Sequence, residues 1–238
     1  MERFDMRSPS AFRTMADVPA ERVTSFLQKV YGWMFVGLAV TAVVAFMVAG
    51  SPTLLQHIFS NQFLYMGLIL AELGLVFYLS ARVETLAPTM AMTLFIVYSA
   101  LNGVTLSFIL LVYTGESIAT TFLVTGGMFG ALALYGSTTK RSLAGVGQFF
   151  FMGLIGLVLA SIVGIFWQSD TLQFLISAVG VLVFTGLTAW DAQRLKHMAA
   201  TVPEARSGSY AVVGALALYL NFINLFLMLL RLLGGRRD

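Results

Sequence analysis

The sequence predicts an all-α integral membrane protein, a seven-helix bundle with almost no mass outside the bilayer. Hydrophobic residues make up 58% of the chain and charged residues only 11%, against about 25% charged in a soluble domain. The mean hydropathy is +0.87. The apolar residues fall into runs that match a hydrocarbon core of about 30 Å, which needs roughly 20 helical residues.

Residues 1 to 24 are polar and mixed in charge, with Pro9 and Pro19 discouraging a continuous helix, and are expected to form a cytoplasmic tail. The membrane domain is expected over 25 to 233, with spans at 30 to 50, 62 to 80, 89 to 112, 117 to 136, 146 to 167, 172 to 190 and 211 to 231. Punctuation falls between them at Gly50-Ser51-Pro52, Ala87-Pro88, Gly115-Glu116, Lys140-Arg141, Ser169-Asp170 and Val202-Pro203. Residues 234 to 238 form a short basic tail.

Basic residues resist translocation and mark the cytoplasmic side. Arg3, Arg7, Arg13, Arg22 and Lys29 precede the first span, Arg82 follows the second, Lys140 and Arg141 the fourth, and Arg194, Lys196 and Arg206 the sixth. The intervening loops carry no Lys or Arg, so the amino terminus is expected in the cytoplasm. Arg231, Arg236 and Arg237 oppose this: either the last segment is a re-entrant hairpin, or the early signals dominate a full seventh crossing. Seven crossings are the preferred reading. The net charge of +3 is spread singly and in pairs beside helix ends, which is membrane flanking and not a nucleic-acid stripe. The absence of cysteine excludes disulfides and thiolate metal sites.

Gly126 and Gly130 are four apart, as are Gly156, Ala160 and Gly164, a spacing of small residues that lets helix backbones approach closely. They are expected to serve general bundle packing, with the many Met and Phe residues as filler.

Ionisable groups inside a span are costly and are therefore functional candidates. Glu72 lies ten residues before Arg82, near mid-bilayer, and either faces a polar cavity, pairs with a cation or remains a neutral acid between helices. Asp191 ends the sixth apolar run, with Arg194 one turn away. If that helix continues to about Met198, Asp191 can face the bundle interior; otherwise it sits at headgroup level paired with Arg194 or Arg82. Asn102, Tyr219, Asn221 and Asn224 need partners on neighbouring helices.

The run from Thr188 to Lys196 (TAWDAQRLK), followed by Ala215 to Leu230 (ALALYLNFINLFLMLL), resembles the paired signature of the Bax inhibitor-1, or transmembrane Bax inhibitor motif, family. Ala71 to Leu75 (AELGL) is similar to the family as well. The resemblance implies a bundle with the last helix central and a pH-sensitive calcium leak. It also implies two aspartates, from the sixth and seventh helices, sharing a proton, with an arginine of the second helix as latch. Asp191 matches the first aspartate, Glu72 the second-helix acid and Arg82 the latch. Where the family pattern reads Tyr-Leu-Asp-Phe, this chain has Tyr219-Leu220-Asn221-Phe222. An amide does not titrate in the physiological range, so pH sensing is expected to be weakened. Asp191 is the candidate calcium ligand, in a site that lacks the second carboxylate. No cofactor is implied, only calcium as the permeant ion.

The main alternative is an interaction protein, since bacterial relatives include modulators of a membrane-anchored AAA protease. An enzyme is not expected. The only histidines, His57 and His197, lie at opposite faces, no HExxH motif occurs, and the last span has no lysine for a Schiff base. A proton-coupled transporter would be expected to show two repeated halves, and none is evident. The expected setting is the inner membrane of a bacterium, with the lipid bilayer as partner and a monomeric state.

Overall fold

The computed structural model describes residues 20–167 and 169–237. Most of the expected cytoplasmic tail, residues 1–19, lies outside the described residues. The helices are α1 (Ala20–Ala49), α2 (Pro52–Ser60), α3 (Gln62–Ala81), α4 (Pro88–Leu106), α5 (Ile109–Val112), α6 (Gly115–Thr138), α7 (Ala144–Phe166), α8 (Asp170–Thr201) and α9 (Ser207–Leu233). Seven helical segments are long and apolar enough to cross a membrane, with α4 and α5 together making one of them.

Local chemistry sets the boundaries. Pro52 and Pro88 stand at the first helical positions of α2 and α4, where a missing N–H costs nothing. The Asn61 side chain accepts from the Phe63 and Leu64 amides and starts α3, and Thr114 accepts from the Ser117 amide and starts α6. The third span is interrupted at Ser107, whose hydroxyl donates to the Val104 carbonyl at 2.6 Å. The sequence reading missed this break and the short helix α2, and α1 begins ten residues before the expected span. The helix of the sixth span, α8, runs to Thr201, which leaves Asp191 about 15 Å inside its end.

The last helix occupies the centre. Within its spanning window 72% of residues are buried, against 44% for α8 and 6% for α3. It packs against α1, α4, α6 and α8. It is one unbroken helix of 27 residues, about 40 Å long, so the re-entrant alternative is excluded and the segment is long enough to cross in full. Large apolar side chains such as Phe35, Phe46, Phe63 and Phe166 point outward, a surface suited to lipid.

The expected packing glycines require correction. A Cβ added at Gly126, Gly130 or Gly156 would meet nothing within 4 Å, because these positions lie on exposed faces, and at Gly164 it would make only ordinary side-chain contacts. The α6 face that packs inward carries Thr121, Thr125, Phe129, Ala133 and Gly136. Close approach occurs at Gly136, where a Cβ would fall 2.0 Å from the Ala189 carbonyl oxygen, and at Gly103, 2.7 Å from that of Thr41.

Candidate functional site

The central helix brings two polar clusters into the bundle. Tyr219 and Asn221 are two residues apart, so their side chains leave α9 about 200° apart and reach opposite sides.

On one side, Asn221 Nδ2 donates to Asp191 Oδ2 at 2.8 Å, and both residues are buried. The other carboxylate oxygen, Oδ1, faces Arg194 Nη1 at 3.9 Å. Arg194 is exposed, and its guanidinium lies 5.6 Å from the centroid of Trp190. A 3.9 Å pair whose guanidinium is exposed contributes little, so the amide of Asn221 is the principal partner of Asp191.

The residues around Asp191 hold it in place. The Thr188 hydroxyl bonds back to the Phe184 carbonyl, and Ala189 presents its backbone to Gly136. The Trp190 ring covers Gly147, and Leu195 fills the space over Gly214. Gln193 accepts from the Leu143 amide at 2.8 Å and donates to the Arg141 carbonyl at 2.9 Å, fixing the α6–α7 connection. Lys196 Nζ donates to the Ser137 carbonyl at 2.7 Å. The structural role of Gln193 was not read from the sequence, although a buried amide within the signature was its signal.

On the other side, Glu72 accepts from the Thr105 hydroxyl and from Asn102 Nδ2. Asn102 Oδ1 accepts from the Tyr219 hydroxyl at 3.1 Å, and that hydroxyl lies 2.6 Å from Thr41 Oγ1. Thr41 in turn reaches the Ser99 carbonyl at 2.8 Å. These three hydroxyl contacts share two hydroxyl protons, so one contact is always without its own donor proton. The rings of Phe95 and Tyr98 stand edge-on to Tyr219. Glu72 is thus the polar tie between the least buried spanning helix, α3, and the core. Tyr219→Phe is expected to leave the buried Asn102 carbonyl unpaired and to lower stability by about 1–3 kcal/mol, measured by thermal unfolding in detergent.

The structure therefore separates residues that the sequence reading grouped. Glu72 joins Asn102 and Tyr219, not Asp191. Arg82 caps α3 at the surface, and the only ion pair of Asp191 among the described residues is with Arg194. Arg82, expected as the latch, makes no ion pair with Asp191 among the described residues. As a resident calcium site the Asp191 position falls short, because calcium takes about 6–8 oxygens and no group of three or more His, Asp or Glu residues is assembled among the described residues.

A cavity of 810 Å³ enters between α7, α8 and α9 from the carboxyl-terminal end of the bundle and reaches Asn224, one turn from Asn221. Leu157, Val183, Phe184, Leu187, Leu225 and Met228 pack together beside that turn as an apolar cluster.

The family described as Inhibitor of apoptosis-promoting Bax1 matches residues 23–238. The inner membrane protein YbhL of Escherichia coli is 49% identical over 222 residues, which cover 92% of this chain and 95% of that protein. A Borreliella burgdorferi protein is 45% identical across 90% of this chain and 93% of its own length, and Rickettsia prowazekii RP147 is 41% identical across 92% of each. With a central last helix and the paired signature residues meeting between α8 and α9, the chain belongs to the Bax inhibitor family of membrane proteins.

Proposed function

We propose that this chain is a calcium-leak channel of the Bax inhibitor-1 type, seen here closed, with its pH response weakened by Asn221. The observation that carries the reading is the buried Asp191 carboxylate, hydrogen-bonded at 2.8 Å to an amide of the central helix. A carboxylate at that depth is expensive, which makes a pathway or a switch its default reading. The cavity ending at Asn224 and the apolar cluster beyond it support a closed passage on the same side of α9. The amide donates to an ionised carboxylate without needing a proton, so this closure holds over a wide pH range.

The proposed location is a bacterial inner membrane, with the amino terminus cytoplasmic. Arg22 donates to the Val202 carbonyl and Lys196 to that of Ser137, so the basic loops gather at one end of the bundle. The carboxyl-terminal segment after α9 pairs with the connection before α6 at the other end, through Thr114 N to Gly235 O and Arg237 N to Val112 O. Arg231, Arg236 and Arg237 then lie on the non-cytoplasmic side.

Calcium flux into proteoliposomes tests the reading. Asp191→Asn removes the acidic group and is expected to lower calcium flux by roughly tenfold, equivalent to about 1.4 kcal/mol of lost cation stabilisation. No flux from the native chain between pH 5 and 8 would overturn the channel reading and favour a modulator of a membrane-anchored protease.

A further inference from the structure

We propose that the carboxyl-terminal end of the bundle binds one aminophospholipid, its phosphate on Arg231, its ammonium on Asp170 and one acyl chain in the crevice beside α9. The headgroup would sit in the mouth of the cavity that the proposed ion passage also uses, and lipid binding is read out without any flux measurement.

Arg231 is in the last turn of α9, and Asp170 is in the first turn of α8. Each has an ordinary explanation, since a cation suits a helix carboxyl end and an acid suits an amino end. Their common setting goes further. Both line the 810 Å³ cavity, and both line an adjoining one of 380 Å³ that also contains Arg236. Yet no ion pair joins them among the described residues. Two opposite charges border one hollow without closing on each other. A phosphoethanolamine group carries the complementary charges, joined by a two-carbon link.

Arg231 borders a third cavity of 210 Å³, lined by Phe108, Ile109, Val112, Leu227 and Leu230. A further crevice of 220 Å³, also touching Ile109, contains Ile223 and Phe226. Ile223, Phe226, Leu227 and Leu230 form one helical stripe of α9, ending beside Arg231. The stripe borders both crevices beside the place where α4 breaks before α5, and together they offer apolar room for a hydrocarbon chain. Trp167 is 70% exposed close by in sequence to Asp170, as expected of an aromatic at headgroup depth. Asp170 suits a hydrogen-bonding ammonium, which phosphatidylethanolamine has, while phosphatidylcholine has no N–H and phosphatidylglycerol has no cation.

The test is binding to the full-length chain, delipidated in detergent, by native mass spectrometry and lipid-dependent thermal stabilisation. Phosphatidylethanolamine is expected to bind about tenfold tighter than phosphatidylcholine or phosphatidylglycerol of matched chains, a difference of ~1.4 kcal/mol. Asp170→Asn should abolish the preference for ethanolamine while retaining phospholipid binding, and Asp170→Glu should restore it. Arg231→Gln should lose retention of all three lipids, whereas Arg206→Gln, at the opposite end, should change nothing. Equal binding of the three lipids, or an undiminished preference in Asp170→Asn, would overturn the proposal. So would full stabilisation by inorganic phosphate or glycerophosphoethanolamine, which would identify a soluble ligand.

Discussion

Asn221→Asp is expected to convert a shallow pH response of calcium flux into a steep one, with flux rising as pH rises. In the native chain Asn221 Nδ2 donates to Asp191 Oδ2 at 2.8 Å, and this bond needs only that the carboxylate accept. Two carboxyl groups at the same separation need a proton between them. Below the titration of that pair they share it and the α8–α9 contact is kept. Above it both ionise and repel inside a poorly solvated site. The closed contact is then present at low pH and lost as pH rises. Each tenfold change in the closed-to-open ratio corresponds to about 1.4 kcal/mol, so a repulsion of that size yields roughly a tenfold flux difference across the transition. Arg194, 3.9 Å from Asp191 and exposed, is too weak a counter-charge to cancel it. Proteoliposome flux between pH 5 and 8 measures the effect. Native and Asn221→Asp proteins with the same pH profile would show that the contact does not control closure.

The parts of the architecture that depend on solvent were legible in the sequence. Run length and charge placement yielded the seven spans, because hydrocarbon excludes charge and requires each backbone to satisfy itself within a helix. Asp191 and Asn221 were legible as candidates for the same reason, and the signature placed them on α8 and α9. Their pairing was implied by the resemblance alone, because the residues by themselves left Asp191 a solvated reading until the extension of α8 to Thr201 buried it. Glu72 was legible as a cost but not as a partner of Asn102 and Tyr219, because which face of α3 meets α4 is set by packing and not by composition. The glycines show the limit of spacing. Gly126 and Gly130 fit a small-residue pattern, yet that pattern says nothing of which side of α6 faces α8.

Gly136→Ala is expected to destabilise the bundle far more than Gly126→Ala or Gly130→Ala, although all three lie on α6 and all three add one methyl group. At Gly136 the new Cβ would lie 2.0 Å from the Ala189 oxygen, 2.8 Å from its carbonyl carbon and 3.0 Å from its Cα. None of these atoms is the end of a flexible side chain, so relief requires α6 and α8 to separate. Overpacking of this kind costs about 3 kcal/mol or more, or a fall in melting temperature of roughly 6–12 °C for a chain of this size. At Gly126 and Gly130 the methyl meets open space, and replacing glycine within a helix gains up to ~1 kcal/mol of propensity. Thermal unfolding in detergent distinguishes these outcomes. Equal melting temperatures for all three variants would show that the α6–α8 interface is looser than its geometry. The consequence reaches the candidate site, because Ala189 is two residues from Asp191. A displaced α8 carries the carboxylate away from Asn221, so Gly136→Ala protein that still inserts should show raised calcium flux at every pH between 5 and 8. That pH-independent rise separates loss of the helix contact from the titration expected of Asn221→Asp.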